Sequence, residues 1–177
     1  MDLTRPYPPD PYAFLPPVPS FTVTSEDVAD GQPMDRRYTQ DGDNVSPQLS
    51  WYGFPLGTRA FALSCFDPDA PTPAGFWHWT VVNIPMMTTT VDRGFGNPDA
   101  KPPVPLWRAR NDAGTLGYAG AAPPPGDQPH RYFFAVHALE TLILGDDGPT
   151  CTQAAFQLVF HTIGRAIIAP TYQRPAI

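Results

Sequence analysis

The chain has 177 residues, enough for one domain with a sizeable core, and 42% of them are hydrophobic. Its formal charge is -6 and only 16% of residues are charged, with the basic ones scattered, which argues against nucleic acid and against simple adhesion to anionic membranes. Proline interrupts helices and central strands, so 25 prolines point to short elements joined by ordered loops, hence a β-rich domain rather than a helical bundle.

Residues 1–19 are proline-rich and are expected to lie extended against a single domain spanning 20–177. No apolar run follows a basic stretch there, as a secretory leader would require. No segment approaches the roughly 20 apolar residues of a membrane helix. "SFTVTSED" alternates like a first strand, and "DGQPM" reads as a turn. "QLSWYGFP" is a second strand, and "RAFALSCF" a third with Phe61, Leu63 and Cys65 on one face. "HWTVVNIP" is β-branched and apolar, the pattern of a central strand. "DRGFGNPDAKPPVPLWRARND" and "YAGAAPPPGDQPH" read as long loops. "RYFFAVHALE" reads as a strand buried on both faces. In "TQAAFQLVFHTIGRAIIAP", Phe156, Val159, Phe160, Ile163 and Ile167 follow helical spacing; Thr150 or Thr152 caps the start and Pro170 stops it. The expected fold is a β-sandwich or barrel with a helix docked near the carboxyl end. Cys65 and Cys151 are expected to be reduced thiols of a cytoplasmic protein, Cys65 as a small core residue.

Polar groups gather at the strand ends. Asp67 and Asp69 follow the strand ending at Phe66, and His78 opens the next one. His130 and Tyr132 open the strong strand, with the parity of Phe134 and Val136. Strand ends can present such groups to a ligand without burying them unpaired.

"DNVSPQLSWYGFPLGTRAFALSCFDPDAPTPAGFWHWTVVNIP" resembles the first signature of the phosphatidylethanolamine-binding protein family, which includes the Raf kinase inhibitor proteins. "YAGAAPPPGDQPHRYFFAVHAL" resembles the second, and the helix near the carboxyl end is similar to that of the bacterial and archaeal branch. The resemblance implies two antiparallel sheets packed as a sandwich, with short helices at the periphery. It also implies a small pocket for phosphate-like anions, such as a phospholipid head group. Carried over position by position, that pocket uses Asp67, Asp69, His78, the loop Ala122, Pro123 and Pro124, His130 and Tyr132. The chain departs from the pattern at Ala122, where many members have glycine; a side chain there restricts φ and narrows the approach of an anion.

The same residues make chemical sense without the family. His78 and His130 can donate to an anion, more strongly when protonated, and Tyr132 offers a hydroxyl. Asp67 and Asp69 would repel an anion directly. Each can instead accept one imidazole N–H, which fixes the tautomer and raises the histidine pKa. The prolines hold the loop in place before a ligand arrives. The plainer readings are that the aspartates cap turns, that the histidines are satisfied core residues, and that Trp77 and Trp79 only pack. His137 has the opposite parity and His161 lies in the helix, so both are expected to be structural.

Three function classes remain open at this point. The first is an anion-binding module without cofactor or metal. The second is an enzyme, a cyclase, isomerase or hydrolase using Asp67, Asp69, His78 and His130 for acid–base work. The chain has no G-x-S-x-G elbow and no H-E-x-x-H or C-x-x-C pair. The third is a regulator docking on a kinase or protease. A homodimer is also expected.

Overall fold

The computed structural model describes residues 3–101, 106–145 and 149–176. A five-stranded antiparallel sheet runs in the order β6 (Trp107–Arg108), β4 (Phe76–Pro85), β3 (Ala60–Asp67), β8 (Phe133–Leu139) and β9 (Thr162–Ile168). A smaller sheet pairs β1 (Thr22–Thr24), β2 (Leu49–Tyr52) and β5 (Thr90–Val91), also antiparallel. A two-stranded ribbon joins β7 (His130–Arg131) to β10 (Thr171–Tyr172).

Alternation along the strands divides the core into two layers. Phe61, Leu63 and Cys65 of β3 face the small sheet, as their parity predicts, and pack with Trp51, Trp79, Phe134 and Val136. Ala62 of β3 and Val82 of β4 face the other way, onto the helix α1 (Cys151–His161). β8 is buried along its whole length because both layers cover it. The architecture is therefore mainly β: two antiparallel sheets forming a sandwich, with one helix on the outer face of the larger sheet. No helix among the described residues is long and apolar enough to cross a membrane.

Three readings change. The strand expected over "RYFFAVHALE" is divided: β7 ends at Arg131 and pairs with β10, Tyr132 lies between, and β8 begins at Phe133. The second proline-rich loop is irregular as expected, but the first contains β6, which pairs Val81 with Arg108 and Val82 with Trp107. Residues 102–105 of that loop lie outside the described residues. The helix expected to run to Pro170 stops at His161, and β9 follows without a linker. Thr150 is the cap: its side chain accepts from the N–H of Gln153, and Gln153 reciprocates. The buried face of α1 is Cys151, Ala154 and Leu158, while Phe156 and Phe160 point outward. Small residues let the helix approach the sheet closely, so the large ones face away. Gly164 marks the change to strand, since a Cβ there would meet Pro55 Cδ at 2.7 Å.

Candidate functional site

The ends of β3, β4 and β7 come together at one edge of the sandwich. Asp67 is the last residue of β3 and pairs with Phe76, the first of β4. Its Oδ1 accepts the N–H groups of Asp69 (2.8 Å) and Ala70 (3.0 Å), which closes the turn after the strand. Its Oδ2 is thereby aimed at the two histidines, 2.8 Å from His130 Nδ1 and 3.9 Å from His78 Nε2.

His130 stands between two carboxylates. Nδ1 meets Asp67 Oδ2, and Nε2 meets Asp127 Oδ2 at 3.0 Å. Carboxylates only accept, so both ring nitrogens donate and the ring is an imidazolium. Burial opposes that charge, but the hydrogen bond and charge of Asp67, then those of Asp127, outweigh it and raise the His130 pKa. Burial likewise pushes Asp67 up, and the hydrogen bond from His130 brings its net pKa below the usual value. Asp127 is driven up by burial and down more strongly by Arg5 and His130, to about 2. Arg5 donates to both Asp127 oxygens, at 2.8 and 2.9 Å, and to the carbonyl of Asp69. The result is a row of alternating charge: Asp67, His130, Asp127, Arg5.

His78 has a different role. Its Nδ1 lies 2.7 Å from the carbonyl oxygen of Ala119. A carbonyl only accepts, so Nδ1 carries the proton and Nε2 is left to the cavity and Asp67. The ring is held edge-on by Tyr132 (centroids 5.2 Å apart) and tilted against Phe76 (4.7 Å).

A cavity of about 320 Å³ opens on these groups. Asp67, His78 and His130 form its polar side, with Ala122, Pro123 and Pro124 as the facing wall and Gln40 and Thr72 at its margin. The proline wall is pinned from several sides. The Tyr118 hydroxyl donates to Tyr38 O (2.6 Å), Gly120 N–H donates to Asn44 Oδ1 (2.7 Å), and Arg174 Nη1 donates to Pro123 O (3.1 Å). Glycine is needed at 120, where a Cβ would meet Asn44 Oδ1 at 2.7 Å and Thr39 C at 2.8 Å. Ala122 is not among the residues of positive φ, so the expected restriction does not arise there.

Six of the eight expected residues thus share one cavity, and two do not. Asp69 is buried and clamps Arg131: Oδ2 accepts Nε (2.9 Å) and the backbone N–H (2.8 Å), and Oδ1 accepts Nη2 (2.8 Å). It ties the β3 turn to β7 and orients no histidine, contrary to expectation. Tyr132 lies behind His78, with its hydroxyl buried away from the cavity wall. The expectation that His130 donates to a ligand also changes, because both its nitrogens are engaged. Sequence reasoning missed Asp127, Arg5 and the Ala119 carbonyl. Asp127, three residues before His130 in "GDQPH", left a local signal; no local pattern links residue 5 to residue 127.

The sequence model of the family described as phosphatidylethanolamine-binding protein matches residues 24–173. The chain belongs to the phosphatidylethanolamine-binding protein family. It is 41% identical over 156 residues to the YbhB protein of Escherichia coli (strain K12), covering 85% of this chain and 98% of that one. It also resembles the crystal structure of YbcL from E. coli, with a TM-score of 0.84 at 40% identity over 87% of this chain and 98% of that one. A family homologue from Chlamydia trachomatis aligns with a TM-score of 0.74 at 28% identity, over 88% of this chain and 98% of that one. The match begins at residue 24, so Arg5 lies outside the portion that defines the family.

Proposed function

We propose that the protein is a binding module for a small phosphate-bearing anion, such as a phospholipid head group or a phosphorylated small molecule, held at the His78 cavity without turnover. The observation that carries this reading is the placement of His78. Its Nδ1 is committed to Ala119 O at 2.7 Å, which directs Nε2 to the cavity. Asp67 and Asp127 are balanced by His130 and Arg5, two negative charges against two positive. A proton on His78 Nε2 then gives the cluster one net positive charge facing the cavity, and an anion neutralises it. The family's name, phosphatidylethanolamine-binding protein, agrees with a phospholipid head group as one such ligand.

Acid–base catalysis by a cyclase, isomerase or hydrolase would require a second group at the cavity free to change protonation. Asp67 and His130 are bound to each other, which favours binding over chemistry. As a regulator of a kinase or protease, the protein would offer the occupied cavity and its proline wall to the partner. Two buried, unpaired cysteines suit a reducing compartment, and a cytoplasmic location follows from this reading. Homodimerisation would use the opposite end of the sandwich, where Met86, Met87 and Leu142 line an exposed hollow. Crystals grown in phosphate test the central part. Density for the anion is expected within about 3 Å of His78 Nε2. Phosphate bound only elsewhere, or a clear cavity at saturating phosphate, would contradict the proposal.

A further inference from the structure

The face of the large sheet that carries α1 holds a second cavity, about 330 Å³, which shares no lining residue with the first. Leu15 of the amino-terminal segment, Phe66, Trp77 and Val159 give it apolar walls. Besides Tyr12 and Thr152, His137 and Arg165 also line it. His137 and Arg165 are register partners across β8 and β9 and are only 3% and 9% exposed.

Neither His137 nor Arg165 has its bonding satisfied. Thr162 Oγ1 donates to Leu158 O (2.6 Å), so it accepts from His137 Nδ1 at 3.3 Å. His137 Nε2 is then a bare acceptor, and it has no partner among the described residues. Burial, with the neighbouring Arg165 charge, pushes the His137 pKa down to about 3, so the ring is neutral. Arg165 lies over the Tyr12 ring at 5.1 Å, and its Nε is buried without an acceptor. No carboxylate pairs with it among the described residues. The exposed Asp10 acts on it at a distance, but its side chain accepts from the Tyr12 N–H (2.8 Å). A buried cation without a counter-charge and a buried acceptor without a donor are both costly, and here they stand side by side.

We propose that this trough is a second ligand site, selective for small apolar hydroxy acids. The carboxylate meets Arg165, the hydroxyl donates to His137 Nε2, and the hydrocarbon or aryl body lies along Leu15, Trp77 and Val159. The volume is at the small end of ligand pockets, which span roughly 300–1,000 Å³. An amine of the same shape would place a second cation against Arg165 and is excluded.

The test is calorimetric titration of the full chain with 2-hydroxydecanoate, decanoate and decylammonium. Hydroxydecanoate is expected to bind. Decanoate should bind several-fold more weakly, because a neutral hydrogen bond is lost. Decylammonium should not compete. Arg165→Met keeps the side chain's bulk and should weaken hydroxydecanoate by about tenfold or more. Val159→Trp is made at a partly exposed helix position, leaves both polar groups in place and should block the trough. Circular dichroism confirms that each variant folds. The proposal is overturned if hydroxydecanoate does not bind, if decylammonium binds equally, or if both variants bind as wild type does. Equal binding of decanoate and hydroxydecanoate would overturn the part assigned to His137.

Discussion

His130 between two carboxylates sets how the fold responds to pH. Its pKa is raised in the folded state, so its contribution is complete below the unfolded value of about 6.5 and is lost as pH rises through the raised value. Asp127 acts in the opposite sense. Held at about 2, it contributes fully above an unfolded value of roughly 3.9 and loses that as pH falls. Thermal unfolding followed across pH should therefore show an alkaline decline above about pH 6.5 that His130→Gln flattens. An unchanged slope in the variant would mean that the imidazolium is not what links these strands. Arg5→Ala should move the acid limb upward, because Asp127 loses its main positive partner; an acid limb at the wild-type pH would contradict the row of charges. Asp67, His78 and His130 were legible in the sequence because strand-end placement and spacing announce them. Asp69 was misassigned because sequence gives its position but not its partner, which in space is Arg131.

At the scale of elements, most strands were legible from alternation, and the lapse is informative. Ile163 and Ile167 are four apart, which fits a helix, but Gly164, Ala166 and Ile168 also alternate as a strand. Short apolar runs satisfy both periods, and the sheet decides. β9 fills the edge beside β8, and Gly164 admits Pro55 against the strand. The two readings give opposite signs for Gly164→Ala. In a helix interior, alanine would stabilise by up to about 1 kcal/mol. In β9 its methyl group meets Pro55, and a loss of about 1–3 kcal/mol is expected in urea unfolding. Thr150→Ala removes half of a capping box and should cost about 0.5–2 kcal/mol in the same assay. A variant as stable as wild type would show that the box adds nothing to α1.

Over the whole molecule, the His78 cavity and one group of exposed apolar side chains occupy opposite ends of the long strands. Leu56, Met87, Leu142 and Ile143 are exposed at the end where β3 begins and β4 and β8 finish. A dimer through that end would leave the cavity and the α1 trough open. Light scattering should then give twice the chain mass of 19.4 kDa, with an interface of about 1,600 Å², and Met87→Glu should return the monomer. A wild-type monomer at micromolar concentration would contradict this arrangement. The central claim is that His78 Nε2, directed to the cavity by the Ala119 carbonyl, holds an anion there. The deciding measurement is sulfate affinity by calorimetry at a fixed pH on wild type and His78→Gln. Wild type should bind sulfate at least about tenfold more tightly than the variant, because a hydrogen bond to a charged ligand is lost. A wild type that does not bind sulfate, or a variant that binds it as wild type does, would contradict the claim.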